Sequence, residues 1–236
     1  MRLNKYIASC GVCSRREADR LIEENRVTVN GAVAACGTQV EDGDTVCLDG
    51  KEIKLKDEKI VLAYYKPVGV VCTENDVHAE RTVIEDLGYK ERVTYAGRLD
   101  KDSEGLLIMS NDGELINSMM RAANMHEKEY EVTVDKDITD EFLNEMFSGV
   151  FLRELNVKTR RCKVRKMGKR SFDIILTQGL NRQIRRMCSE LGYEVVKLKR
   201  VRVMTVKLGD YNLKPGEYAE LSDDAKKLLY DKAGVK

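Results

Sequence analysis

The chain has 236 residues, 42% hydrophobic and 34% charged, with a formal net charge of +1. That length admits one large domain or two modest ones, and the apolar content can supply a core. No apolar run approaches the ~20 residues needed to cross a bilayer, and Met1-Arg2-Leu3-Asn4-Lys5-Tyr6 lacks the apolar stretch of a secretory leader.

Seven cysteines without an export signal predict free thiols in a reducing cytoplasm. Cys10 and Cys13 form a lone C-x-x-C, with Cys36 and Cys47 too scattered to complete a metal site. No metal is therefore expected, and cysteine serves here as a small apolar residue. The near-zero net charge hides a polarised distribution. Residues 158–207 hold sixteen Lys and Arg against Asp173, Glu190 and Glu194, a balance of +13 that leaves −12 for the rest. Such a block predicts a phosphate-binding face. Ile174, Ile175, Leu176 and Ile184 thread through it, so it reads as folded structure with a basic side.

In chain order, Leu3, Ile7 and Ala8 share a helical face, and Gly11 ends that helix. Ser14-Arg15-Arg16-Glu17 has the pattern of a capping box. Ala18, Leu21 and Ile22 form the buried stripe of a second helix, with Arg15, Arg16 and Arg20 exposed. Arg26-Val27-Thr28-Val29 alternates as a strand, Asn30-Gly31 is a two-residue hairpin turn, and Gly43 to Val46 opens another strand. The charged stretch Gly50 to Lys59 predicts a flexible linker, which divides the chain into residues 1–58 and 59–236. Ile60 to Tyr65 is a buried strand closed by Lys66-Pro67 and Gly69, and Val70-Val71-Cys72 runs on as a strand.

Leu106 to Met109 reads as a core strand. Leu115, Ile116, Met119 and Met120 recur at helical spacing behind a cap at Asn111 or Asp112. Tyr130 to Val134 alternates as a strand, and Phe142, Met146 and Phe151 mark a helix and its exit. Arg161 to Arg165 and Phe172 to Leu176 are paired strands joined near Gly168. Gln183 to Leu191 is an amphipathic helix and Val195 to Val206 is extended. Tyr218 to Leu221 is a last strand, followed by a helix capped by Ser222 or Asp223. The interleaving lacks regular βαβ spacing, so the expected class is α+β with a mixed, mostly antiparallel sheet flanked by helices.

The candidate chemistry begins at Gly97-Arg98-Leu99-Asp100, where a carboxylate stands at the mouth of the core strand Leu106 to Met109. A nucleophile or general base sits well there. Taken alone, an Asp after a Gly-Arg turn is more often a cap or surface ion pair. Asn181-Arg182-Gln183-Ile184-Arg185-Arg186 offers guanidinium groups that would keep it ionised.

Four ordered segments, Lys66-Pro67-Val68-Gly69, GRLD-x-x-S-x-GLL from Gly97, Lys128-Glu129-Tyr130, and Asn181 to Arg186, resemble the pseudouridine synthases of the RsuA/RluB/RluE/RluF group. The opening R-L-N-K-Y-I with S-R-R-E-A-D-R-L-I resembles an S4 RNA-binding domain. Within the family, Leu176 to Cys188 and His126 to Tyr130 are most similar to the RluF branch, which acts on a 23S rRNA stem-loop near the peptidyl-transferase centre. The resemblance covers Met1 to about Leu221, and Ser103 stands where many relatives carry threonine.

The resemblance implies isomerisation of uridine to pseudouridine without cofactor or metal. The ribose C1′ to uracil N1 bond breaks, the base turns, and C5 rejoins C1′. It assigns Asp100 as nucleophile or base, Arg185 as its basic partner, and Tyr130 as the residue against the uracil face. Arg182 or Arg186 could instead hold adjacent phosphates. RNA contacts are expected from Arg98, Lys66, Lys128, Asn181, Arg182, Gln183 and Arg186, and from Arg15, Arg16 and Arg20 in the first module. The implied partner is ribosomal RNA of the large subunit, with transfer RNA left open as a second substrate, acted on by a cytoplasmic monomer. Two competing readings are a non-catalytic S4-type assembly factor and a carboxylate hydrolase using Asp100 with Asp102 or Glu104.

Overall fold

The computed structural model describes residues 1–55, 58–73 and 80–235. Two compact units emerge. One comprises residues 1–60 with 89–93 and 111–113, and the other holds the remainder.

In the first unit, α1 (Leu3–Ser9) and α2 (Arg15–Glu23) pack on the strands β1 (Val27–Val29), β2 (Ala32–Val33), β3 (Val46–Leu48) and β4 (Lys51–Glu52). The sheet order is β2-β1-β3-β4. Leu3, Ile7, Ala18, Leu21, Ile22, Val27 and Val46 form its core. Asn30 and Gly31 both take left-handed backbone, as the two-residue turn between β1 and β2 requires. The Ser14 side chain accepts a hydrogen bond from Glu17 N, giving one half of the expected capping box. Cys10 is buried, which pushes its thiol up to about 11 and leaves it inert at neutral pH.

The expected linker is in part structured. Lys51–Glu52 pairs with β3 because a short charged edge strand costs little apolar burial. The rest of that prediction falls partly on residues 56 and 57, outside the described residues.

The second unit is built on one sheet. Its strands are β5 (Val61–Lys66), β6 (Thr94–Tyr95), β7 (Glu104–Ser110), β8 (Lys128–Val134), β11 (Lys163–Lys166), β12 (Ser171–Leu176), β13 (Val195–Val203), β14 (Val206–Lys207) and β15 (Tyr218–Glu220). A separate ribbon pairs β9 (Phe151–Leu152) with β10 (Val157–Lys158). The helices are α3 (Val83–Leu87), α4 (Gly113–Met120), α5 (Asp140–Ser148), α6 (Gln183–Glu190) and α7 (Asp223–Ala233).

The order β11-β12-β8-β13-β7-β5-β15 is antiparallel throughout except where β13 meets β7. The class is thus α+β with a mixed, mostly antiparallel sheet. Every residue of β5 and β7 is buried, which fits central strands covered on both faces and explains their unbroken apolar runs. Two apolar clusters flank the parallel seam. One gathers Val132, Phe142, Met146, Phe172, Ile174, Met187 and Leu198. The other gathers Val61, Ala63, Leu106, Ile108, Leu115, Val203 and Leu229.

Three expectations change. Val70 to Cys72 forms no strand; only an isolated bridge joins Val71 to Thr82, since the glycine turn at Gly69 leaves no partner in register. Phe151 enters β9 with its side chain exposed. The 158–207 block is less naked than its charge suggests. Lys163, Arg170, Arg182, Arg185, Arg186, Lys197 and Arg202 meet carboxylates outside the block, and Arg165 meets Asp173 within it, so about half of the sixteen cations are paired.

Candidate active site

The turn that carries Asp100 runs from Gly97 to Ser103 and feeds straight into β7. It is clamped from several sides. Ser103 N donates to Asp100 O at 3.1 Å, closing the turn, and Gly69 N donates to Lys101 O at 2.7 Å. Lys66 is fully buried, and its Nζ donates to Pro67 O at 2.9 Å and to Ser103 O at 2.8 Å. Leu99 N lies 3.4 Å from the Cys72 sulfur.

Arg185 Nη2 donates to Asp102 O at 2.8 Å and to Ser103 Oγ at 3.2 Å, while Nη1 reaches Val195 O at 3.1 Å. Its Nε stands 3.4 Å from Asp102 Oδ2, an ion contact without hydrogen-bond alignment. From β13, Arg200 donates through Nε to Leu106 O at 2.7 Å and through Nη1 to Arg98 O at 3.4 Å.

Arg182 is the cation nearest the Asp100 carboxylate. Its Nη1 is 3.7 Å from Asp100 Oδ2, and its two terminal nitrogens hold both oxygens of Asp102 at 3.3 and 3.0 Å. Arg182 has φ +49°, a left-handed backbone at the residue before α6. A non-glycine residue held there stores strain of the kind found at functional sites.

A cleft of about 480 Å³ opens over Asp100. Its lining includes Arg98, Leu99, Asp100, Met119, His126, Lys128, Tyr130, Asn181, Arg182 and Arg200. Lys128 and Tyr130 stand two apart on β8, so both face the cleft. Arg200 is the register partner of Tyr130 on β13 and therefore shares that face.

The predicted residues thus separate. Asp100, Tyr130, Lys128, Arg98, Asn181 and Arg182 share the cleft. Arg185 is not paired with Asp100; helix α6 turns it beneath the turn, where it braces Asp102 and Ser103. Lys66 cannot reach RNA as expected, because it is fully buried with its ammonium committed to two backbone carbonyls. Gln183 lies at the cleft wall but is 5% exposed, with Oε1 accepting from Leu180 N at 3.0 Å to close the entry into α6. Arg186 is tied to Asn181 O at 3.0 Å and to the Glu154 carboxylate. Arg15, Arg16 and Arg20 stand exposed on α2, Arg20 paired with Glu17 and Glu24.

Sequence reasoning missed Arg200 and His126. The signal for Arg200 was available: in the alternation along β13 it falls in phase with Leu198, which puts a charge on the buried face.

Residues 60–190 match the family model described as RNA pseudouridylate synthase, and residues 1–55 match that of the S4 domain. The chain is 49% identical over 225 residues to the dual-specificity RNA pseudouridine synthase RluF of Salmonella typhi, covering 94% of this chain and 76% of that protein. It is 38% identical over 240 residues to the ribosomal large subunit pseudouridine synthase B of Vibrio cholerae, covering 97% and 73%. A crystal structure of a pseudouridylate synthase superposes with a TM-score of 0.72 at 26% identity, covering 97% of this chain and 99% of that one. The chain belongs to the RNA pseudouridylate synthases.

The electrostatics of the synthase are dominated by cations in low dielectric. Burial lowers the Lys66 ammonium, with Cys72 and the carboxylates of Asp100 and Asp102 working against the loss. Burial, then the neighbouring Arg200 guanidinium, brings Lys128 down to about 8. Burial opposes ionisation of Asp102, yet the Arg182 hydrogen bond and the charges of Arg185 and Arg182 hold it below the usual carboxylate range. His126 is lowered by burial and by Lys128 and Lys232, and is therefore neutral at pH 7. Among the described residues no cluster of His, Cys, Asp and Glu could hold a metal ion, and no helix is long and apolar enough to cross a membrane.

Proposed function

We propose that this synthase converts a specific uridine of large-subunit ribosomal RNA to pseudouridine, with Asp100 as the reacting carboxylate. One observation carries this: Asp100 and Tyr130 share a cleft in which Arg182 is the nearest cation to the carboxylate. Asp100 attacks C1′ or removes a sugar proton; either way the C1′–N1 electron pair leaves with the base. The base turns and C5 bonds to C1′ as the Asp100–C1′ ester breaks or, on the other route, as Asp100 returns the sugar proton; the C5 proton is then lost and N1 gains one. Tyr130 lies against the uracil ring. Arg182 faces Asp100 across 3.7 Å as its nearest cation, and Arg185 holds the turn that presents it.

A stacked uridine cannot enter such a cleft without leaving its helix, at a cost of a few kcal/mol. Loops and bulges make that cost smallest. Stacking on Tyr130 and phosphate contacts from Arg98, Asn181 and the 158–207 face offset it. Residues 1–58 hold the RNA and residues 59–236 perform the chemistry in the cytoplasm. The dual specificity in the name of the Salmonella typhi relative supports a second target, a transfer RNA loop of similar shape.

The test is carbodiimide-primed reverse-transcription mapping of 23S rRNA and tRNA transcripts after incubation with wild type and Asp100→Asn. The expected result is a single stop on 23S rRNA that vanishes in the variant while RNA affinity is retained. Turnover by Asp100→Asn would remove Asp100 from the reaction. Binding without any stop would favour the assembly-factor reading, and free uracil would favour the hydrolase.

A further inference from the structure

Arg200 stands apart from the other arginines of the synthase. It is 1% exposed, on β13 in the middle of the sheet, and lines the cleft directly beside Tyr130. Two of its nitrogens are spent on backbone carbonyls, Leu106 O and Arg98 O. The third, Nη2, is buried and has no hydrogen-bond partner. A guanidinium nitrogen left unpaired in low dielectric loses its hydration without a replacement partner. Lys128 faces the same cleft and feels the Arg200 charge, yet neither residue forms an ion pair with a carboxylate among the described residues. Two adjacent cations and an orphaned donor make a site that lacks its negative partner.

The occupant can be argued from depth and valence. A phosphate of a bound RNA stays with the backbone at the cleft mouth, whereas Arg200 is 1% exposed and is the register partner of Tyr130 in the cleft lining. A second buried atom without a partner, His126 Nε2, lines the same cleft. His126 is hydrogen-bonded to the Ser118 backbone and neutral, so Nε2 is an acceptor. A phosphodiester has no proton to offer it. Uracil has both carbonyl acceptors and an N3–H donor.

We propose that Arg200, with Lys128 beside it, is the seat for a uracil carbonyl oxygen and stabilises the uracil anion released when the C1′–N1 bond breaks. This rests on the pseudouridine reading above. The electron pair of the broken bond passes to N1 and spreads onto O2 and O4. No proton moves; Arg200 donates a hydrogen bond that strengthens as the oxygen gains charge. Donors placed in advance where charge develops are worth roughly 10²–10³-fold in rate each. Because the same guanidinium grips Arg98 O, the seat is fixed relative to the turn that carries Asp100.

The experiment compares wild type, Arg200→Gln and Lys128→Gln in single turnover at saturating RNA. The probe is a stem-loop spanning the mapped uridine, with uridine or 5-fluorouridine at the target, and conversion is followed by nuclease digestion and chromatographic separation of the isomeric nucleosides. Fluorine makes the base a more acidic leaving group that needs less stabilisation. The expected result for Arg200→Gln is a loss of roughly 10²-fold on uridine and a much smaller loss on 5-fluorouridine, with RNA affinity unchanged. An equal loss on both bases, or an undiminished rate, overturns the proposal, since a structural role is blind to the leaving group. If Arg200→Gln does not fold, Lys128→Gln, at a half-exposed position, must show the same selective loss or the proposal fails. Inactive wild type would instead overturn the parent reading.

Discussion

The two units use positive charge in opposite ways. In the first, Arg15 and Arg16 project from α2 into solvent and form no ion pair among the described residues. In the second, Lys66 and Arg200 are buried at 0% and 1% exposure and gripped by main-chain carbonyls. An exposed cation acts over about a Debye length and is weakened by salt. A buried one acts on its neighbours through low dielectric and is screened much less by salt. In the proposed function the first arrangement captures a polyanion of loosely defined geometry; the second fixes atoms against one another. Binding and chemistry should therefore respond to different perturbations.

The largest effect is expected from Gly105→Ala in the second unit. Gly105 has φ +113°, and a Cβ there would sit 2.3 Å from Arg200 O and 2.6 Å from Arg200 N. Backbone strain and overpacking together should cost about 3 kcal/mol or more in chemical denaturation. A variant within about 0.5 kcal/mol of wild type would mean that β7 and β13 do not approach so closely.

Next comes the double variant Arg15→Gln/Arg16→Gln. Its RNA affinity should fall on the order of tenfold, and its log–log salt slope should flatten by about 1.5, for two lost phosphate contacts. The single-turnover rate at saturating RNA should stay at the wild-type value. A rate that falls with the affinity would end the contrast between the units.

The pH profile sharpens the second region. A lysine lowered to about 8 loses its charge as pH rises through that value, so the chemical step should decline above about pH 8. The charged and titratable groups facing Lys128 are Arg200 and the neutral His126, and neither changes charge in that window. In Lys128→Arg the guanidinium stays protonated and the alkaline decline should vanish. Its persistence would assign the limb to another group. The smallest effect belongs to Ser14→Ala, which removes the α2 cap and should cost about 1 kcal/mol, visible as faster hydrogen exchange in the first turn of that helix and nowhere in β5 or β7.

Much of the fold was legible because its signals are local. Asn30-Gly31 demands a turn, Leu106 to Met109 is too apolar for an edge, and Ser222 caps α7 by accepting from Ala225 N. The site was legible only in part. Asp100 and Tyr130 stand out by motif, but which arginine approaches Asp100 depends on the left-handed φ of Arg182 and on the roll of α6, neither of which is written in residue spacing. Lys66 reads as an RNA contact in sequence because a lysine after a core strand resembles the strand's exit. Its burial depends on carbonyls at Pro67 and Ser103, the latter 37 residues away in sequence.

The parallel seam between β7 and β13 has a consequence for how the reaction is aligned. Asp100 belongs to the β7 side, while Tyr130 and Arg200 belong to β8 and β13, and the pairing of Arg200 with Gly105 ties the two sides together. In the proposed reaction the spacing between the Asp100 carboxylate and the departing base is thereby inherited from the main-chain lattice, not from side-chain packing. Volume changes in either apolar cluster should erode melting temperature well before they misalign the chemistry. The catalytic ruler and the thermal reserve are separate properties of the same sheet.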